Sequence, residues 1–417
     1  MTGPLNGVKI VDISNMLMAP YTTQILGDMG ADVIKIEPPE GDAVRGIGPM
    51  RNPGMGPIFL NTNRSKRSIV LDLKSASGGE AIRRLIRDAD VLVYNRRPAV
   101  MDRLGLSYET VSTLNPRIIY AGIYGFGQDG PYAHKPAFDD LIQGLVGMPA
   151  LSHVKDGGRP SYMPSAVIDR AVGLWAVGQI NGALLHQART GEGQRIDMPM
   201  YEMMASFVLG DHMGGATYDP PSGPMGYPRL LAQDRRPFPT ADGFIGVMIY
   251  TDRHWKSFFA AMGTPEVFDT DPRYANMTTR TENIQSIYAE LAELLLTRTS
   301  AAWLDLFDSA DVPAMQMNTL DEMMVDPHLA ETGFFTTVEH PTEGTLKQMA
   351  VPATWSRTQP GATRHAPKLG EHSDEILKEL GFSDADIAEM VENGTTIVPD
   401  DDARLNKQGR ASGGEET

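Results

Sequence analysis

Apolar positions in the first third of the chain fall into short β-branched runs separated by stretches of helical period. The runs are VKIVDI from Val8, ADVIKIE from Ala31, SIVLDL from Ser68, VLVYN from Val91 and IIYAGIYG from Ile118. Between them, EAIRRLIRDA from Glu80 puts Ile82, Leu85, Ile86 and Ala89 on one helical face and its Arg and Asp residues on the other. That rhythm predicts βαβ units and a Rossmann-like α/β fold, an open, mostly parallel sheet covered by helices. After Met200 the pattern changes: Gly and Pro crowd GDHMGGATYDPPSGPMGYP, a composition that opposes regular structure and reads as a linker. A smaller α+β region follows, with a strand-like FIGVMIY from Phe244 and helical DRHWKSFFAAMG and TSAAWLDLFDSA. From about Asp326 short strands and turns return, ending in two helical segments, HSDEILKEL and SDADIAEMVENG. The tail after Pro399 is expected to be disordered.

Length and composition sharpen this picture. With 417 residues, 41% hydrophobic and 22% charged, the chain suits two or three globular domains. A net charge of −16 opposes nucleic acid or an anionic membrane as the main partner, so a phosphorylated ligand needs a local basic pocket. Cysteine is absent, which removes thiolate chemistry and disulfides and suits a reducing, cytoplasmic compartment. The start, MTGPLNGVKIVD, has no basic-then-apolar signal pattern, and the most apolar helical stretch, Ala171 to Leu185, is too short and polar for a bilayer. None of the nine histidines sits in a metal-binding spacing, so no metal is inferred.

Four local patterns could carry chemistry, and each has a plainer reading. The basic run Asn63 to Arg67 precedes a strand, and Arg96-Arg97 follows the strand Val91 to Asn95. Ligands gather outside the carboxyl ends of strands, which favours Asn95, Arg96 and Arg97 for phosphate contacts; a solvated basic loop is the alternative. Gly125-Phe-Gly127-Gln-Asp-Gly130 matches a dinucleotide fingerprint literally, but PYAHKP continues as loop where a helix is required. Its glycines serve tight turns or close approach to a substrate instead. Asp169 stands between the extended SYMPSAVI and a long helix rich in small residues, where the helix dipole would favour its ionised form; an ordinary capping aspartate is the alternative.

Taken together, these blocks resemble the class III CoA-transferases, the CaiB/BaiF-like family that includes relatives of formyl-CoA transferase. Asn15-Met-Leu-Met-Ala-Pro20 with LGDMGADVIKIEPPEGDAVRG, then NTNRSKRSIVLDLKSASGGEA, VLVYNRRPAVMDRLGL, NPRIIYAGIYGFGQDGPY, the segment around Asp169, TGEGQRIDMPMYE, RPFPTADGFIGV and LGEHSDEIL carry the likeness over nearly the whole chain. The resemblance implies a large CoA-binding domain made from both chain ends: residues 1–200, then a linker over 201–228, a small domain over 229–325, and a linker with the C-terminal part of the large domain over 326–399. Residues 400–417 are left as tail. It implies an interlocked homodimer, acyl-CoA and a carboxylic acid as substrates, no tightly bound cofactor, and Asp169 as the nucleophile. It assigns CoA contacts to Met18, Leu71, Asp72, Leu73, Lys74, Asn95, Arg96, Arg97, Arg103 and Ala137, and substrate contacts to Leu17, Phe138 and Asp139. Backbone amides of the glycine-rich loops are then candidates to stabilise oxyanions.

This chain departs from the oxalate and formate members, which carry a glutamine where Leu17 stands, a basic residue where Pro38 stands, and a Tyr-Glu pair where Phe138-Asp139 stands. Nor has it a counterpart of their gating glycine loop before Asp242-Gly243. The related racemases use a histidine where this chain has Phe138, which cannot carry a proton. The alternatives to CoA transfer are an acyl-CoA racemase or isomerase and a catalytically idle CoA-binding homologue.

Overall fold

The structure, a computed structural model, describes residues 3–399; the expected tail over 400–417 lies outside them. Six parallel strands form one sheet: β1 (Lys9–Asp12), β2 (Asp32–Glu37), β3 (Lys66–Val70), β4 (Val91–Tyr94), β5 (Ile119–Tyr124) and β6 (Gln194–Pro199). Their order, β3-β2-β1-β4-β5-β6, reverses between β1 and β4. That reversal opens a crevice at the carboxyl ends of the two central strands. Strands β1 to β5 lie where the apolar runs predict them. β3 starts two residues before the run SIVLDL and so draws Lys66 and Arg67 into the sheet.

Helices cover the sheet through the predicted apolar faces. Helix α1 (Met18–Asp28) and helix α2 (Ala76–Arg87) return the chain after β1 and β3. Ser75 caps α2 by accepting the Gly78 N–H, and Ile82, Leu85 and Ile86 are buried against Val11, Ile36 and Ile69. Burying each such side chain stabilises the fold by roughly 1.5–3 kcal/mol. Ile376, Leu377, Ile387 and Met390, from the helices Ser373–Glu379 and Asp384–Glu392, join the same cluster. The two ends of the chain therefore share one core.

The chain divides into two compact units. Among the described residues, one collects 3–142, Ser165–Met204 and 332–399; the other is Gln143–Pro164 with Ala205–Glu331. The residues 201–228, read from sequence as linker, open with a helix, Met200–His212, before the Gly- and Pro-rich turns begin. Its apolar MYEMMASFVLG outweighs the breakers downstream. The segment 143–164, counted in the sequence with the large region, clusters with the second unit. That unit has a small antiparallel sheet, Phe238–Pro239, Phe244–Val247 and Ala314–Gln316. Its core is aromatic, with Trp255, Phe258, Trp303 and Phe307 packed together, and the Trp303 indole N–H donates to the Leu295 carbonyl at 2.8 Å.

Candidate active site

Asp169 lies in the first turn of the helix α3 (Val167–Thr190), as its third residue rather than its cap; Ala166 holds the cap position and offers no side-chain acceptor. The Asp169 N–H donates to Oδ2 of Asp139 at 3.0 Å, so a second carboxylate stands beside the first. Burial, followed by the Asp139 charge, raises Asp169 to about 6, and Arg170 draws it back only in part. The outcome opposes the simple dipole expectation, because desolvation and a like charge outweigh the helix terminus here. A carboxylate with a pKa of about 6 is still about nine-tenths ionised at pH 7. It is also more basic, hence a better nucleophile, than a solvated aspartate.

Helix α3 is pinned to α1 by close backbone approach. A Cβ added at Gly173 would lie 2.9 Å from the Met18 carbonyl oxygen, and Thr22 donates its hydroxyl to the Gly173 carbonyl at 3.0 Å. Gly173 is one turn beyond Asp169, so the Leu17-Met18 turn and the Asp169 helix are brought together. The small residues of α3 thus have two uses: Gly173 and Ala176 are buried, whereas Gly178 and Gly182 meet nothing within 4 Å. Around them Leu174, Trp175 and Leu185 stay exposed.

The residues after β4 join this turn from the other side of the crevice. The Asn95 side chain donates to the Asn15 carbonyl at 2.7 Å and accepts the Asn15 N–H at 3.1 Å, which ties the loops after β1 and β4 together. Its amide is committed to that bridge. Arg96 is half-buried with its Nε hydrogen unpaired, and Arg97 is exposed and donates to the His134 carbonyl at 2.8 Å. Arg103, exposed at the end of the helix Pro98–Arg103, makes no ion pair among the described residues, nor do Arg96 and Arg97. The His134 loop leads to Ala137, whose side chain would collide with any Cβ at Gly125, and then to Phe138 and Asp139. Phe138 is 60% exposed. Leu71, Asp72, Leu73 and Lys74 follow the carboxyl end of β3; Leu71 is buried, Lys74 is exposed, and Asp72 accepts the Lys74 N–H at 3.0 Å. Met18 is buried as well, and its carbonyl accepts the Thr22 hydroxyl at 3.1 Å.

Other sequence readings change. The run Asn63 to Arg67 is neither a phosphate site nor a solvated loop: Arg64 pairs with Asp28 at 2.8 Å, Lys66 with Asp12 at 3.2 Å, and Arg67 with Asp32 at 2.7 Å. In Gly125–Gly130 no helix follows until Asp139, as the loop reading requires. Its Gly127 N–H donates to Glu202 at 2.8 Å and its Gly130 N–H to the Gly127 carbonyl, so neither amide is open to an oxyanion. Sequence reading missed Glu202, and it missed a set of buried charges beneath the crevice: Asp12, Lys35, Glu37, Asp42 and Arg45. The available signal was charge at inward positions of a strand, in VIKIE. Among the described residues no cluster of acidic and His side chains could hold a metal, and no helix is long and apolar enough to cross a membrane.

Comparison with known proteins adds to this geometry. The model of one protein family, described as CoA-transferase family III, matches residues 5–373. The succinate–glutarate CoA-transferase of Agrobacterium fabrum is 33% identical over 384 residues, 90% of this chain and 96% of that protein. The succinyl-CoA:mesaconate CoA-transferase of Haloarcula marismortui is 33% identical over 415 residues, 96% of this chain and 100% of that protein. Among solved structures, a CaiB/BaiF family protein from Brucella suis is 32% identical with a TM-score of 0.76, covering 91% of this chain and all of the other.

Proposed function

The chain belongs to CoA-transferase family III and is a CoA-transferase, and from that premise we propose that it moves CoA between two carboxylic acids through covalent chemistry at Asp169. The observation that carries the reading is the Asp169 carboxylate, raised to about 6 beside Asp139 at the head of a helix that packs on the Leu17-Met18 turn. Such a group is ionised at neutral pH and poorly solvated, which is what a nucleophilic carboxylate needs.

Asp169 attacks the thioester carbonyl of the donor; the carbon–sulfur bond breaks, giving a mixed anhydride on Asp169 and the CoA thiolate. The thiolate then attacks the aspartyl carbonyl, releasing the donor acid as its carboxylate and leaving an aspartyl-CoA thioester. The acceptor carboxylate attacks that thioester, regenerating thiolate and a second anhydride. Attack of the thiolate on the acceptor carbonyl forms the new acyl-CoA and frees Asp169. No net proton is gained or lost. Water would hydrolyse either anhydride, so the partial burial of Asp169 serves the chemistry directly.

Arg96, Arg97 and Arg103 are free of acidic partners, and we assign them to the phosphates of CoA. This explains how a chain of charge −16 holds an anionic substrate. The exposed Leu174, Trp175 and Leu185 on α3 support a homodimer, interlocked as in the family's expected architecture, in which a second subunit covers that face. Light scattering should report twice the chain mass of 45.5 kDa, and a folded monomer would remove the dimer. Donor and acceptor are found by incubating the enzyme with acyl-CoA donors and free acids and identifying the thioesters by mass spectrometry. Succinate, glutarate and mesaconate head the panel because two relatives are named for them. Formation of no new thioester with any pair would overturn the proposal.

A further inference from the structure

The sequence block Val33 to Arg45, VIKIEPPEGDAVR, holds five charged side chains that the reaction does not use, and four of them are buried: Lys35, Glu37, Asp42 and Arg45. They form two ion pairs, Lys35 with Asp42 at 2.9 Å and Glu37 with Arg45 at 2.7 Å. Buried pairs of this kind are poor devices for stability alone, because the desolvation of both charges offsets their attraction. What they touch is more telling.

Asp42 accepts the Met16 N–H at 3.0 Å through Oδ1 and the Lys35 ammonium through Oδ2. Lys35 also donates to the Ser14 carbonyl at 3.0 Å. The Ser14 N–H donates to Asp12 at 2.9 Å, and Asn15 is held at both its N–H and its carbonyl by Asn95. Glu37 in turn accepts the Asp42 N–H at 3.0 Å. Three consecutive residues after β1 are thus fixed through their main chain by side chains of β1, β2, the loop after β2 and the loop after β4. The turn so held is strained: Met16 sits at φ 66°, in the left-handed region that a residue with a Cβ rarely adopts. It lies at the switch point of the sheet and leads directly into Leu17 and Met18.

We propose that Asp42, backed by Lys35, is a positioning residue for acyl-CoA: it clamps Met16 in the left-handed conformation that sets the Leu17-Met18 turn beside the crevice between β1 and β4. This rests on the reading above that Asp169 attacks an acyl-CoA whose phosphates are held by Arg96, Arg97 and Arg103. Glycine adopts a left-handed conformation freely, so at position 16 it would hold the turn without the clamp.

The test compares the wild type, Asp42→Asn, Met16→Gly and the double variant by kcat, by KM for acyl-CoA and for the acceptor acid, and by thermal midpoint. Asp42→Asn is expected to raise KM for acyl-CoA by about tenfold and KM for the acid by less than about twofold. Met16→Gly in that background should return KM for acyl-CoA to within roughly threefold of wild type. It should do so while the thermal midpoint falls further, because the Met16 side chain packs on Val44 and Phe59. Affinity and stability then move in opposite directions, which a merely structural Asp42 cannot produce. If Asp42→Asn does not fold, Met16→Val carries the test, since a β-branched residue opposes the left-handed turn with the ion pairs intact. An equal rise in both KM values, no rescue by glycine, or an unchanged KM for acyl-CoA in Met16→Val would overturn the clamp. A wild type that transfers no CoA would instead overturn the reading beneath it. The same variants are then compared by calorimetric binding of free coenzyme A, where the predicted loss and rescue still decide for or against the clamp.

Discussion

Arg64, Lys66 and Arg67 sit where the chain enters β3, whereas Arg96, Arg97 and Arg103 follow the carboxyl end of β4. Both clusters are basic, and in sequence they look alike. The first is buried and wholly paired, with Lys66 fully enclosed against Asp12. Burial pushes Lys66 down to about 8, so it remains charged at pH 7, while Lys66 and Lys35 overcome burial to hold Asp12 below the usual carboxylate range. The second cluster has no acidic partner among the described residues and leaves a buried donor, Nε of Arg96, unused. A parallel sheet gathers its ligands at one end only. The basic cluster where the chain enters β3 is absorbed into the frame, while the basic cluster after β4 is kept available.

The widest separation between the clusters should appear in stability. Lys66→Met strands Asp12 in the interior and is expected to cost about 3–5 kcal/mol in denaturant unfolding, whereas Arg97→Ala should stay within about 0.5 kcal/mol of wild type. Comparable losses would erase the distinction. The next effect is on binding: Arg97→Ala and Arg103→Ala should each raise KM for acyl-CoA by about tenfold, the worth of one charge-assisted hydrogen bond, with a smaller change for the acceptor acid. Equal changes on both substrates would take these arginines out of the phosphate site.

A third effect is read from pH. Because Asp169 is raised to about 6 and must be ionised to attack, kcat should fall as pH drops, reaching about a tenth of its plateau near pH 5. Asp139→Asn keeps an acceptor for the Asp169 N–H but removes the like charge, so the limb should move to lower pH. A limb that stays in place would exclude Asp139 as a source of the shift. The smallest effect is on stability. Asp169 has a folded pKa above its unfolded value of 3.8, so ionising it costs stability: nothing below about pH 4, a growing penalty up to about 6, and a constant one beyond. Asp169→Asn should therefore be more stable than wild type by roughly 1 kcal/mol at pH 8, after allowing for solvent screening, and equal to it at pH 4.

Apolar periodicity made β1 to β5 and the buried face of α2 legible, because a buried parallel strand is a continuous apolar run. It could not show β6, whose QRIDMP alternates polar residues at the sheet edge. Nor could it assign Lys66, since a buried lysine reads as a surface one until its aspartate, 54 residues away, is placed beside it. Asp169 stood out through its family motif and not through local pattern. Its raised pKa depends on Asp139, 30 residues earlier in sequence, and on burial that only the fold supplies. The small residues of the long helix after Asp169 were legible in the sequence, but not what packs against them; at Gly173 that neighbour is α1.

The most direct measurement is of the covalent intermediate. Enzyme mixed with an acyl-CoA and quenched in acid is digested and mapped by mass spectrometry, with hydroxylamine used to trap the activated carboxyl as a hydroxamate. The expected result is a CoA thioester or hydroxamate on the peptide containing Asp169, absent from Asp169→Asn, together with loss of transfer in Asp169→Ala. An unlabelled Asp169 peptide during turnover, or an Asp169→Ala enzyme keeping more than about a tenth of wild-type turnover, would contradict a covalent route, which has no substitute for its attacking atom.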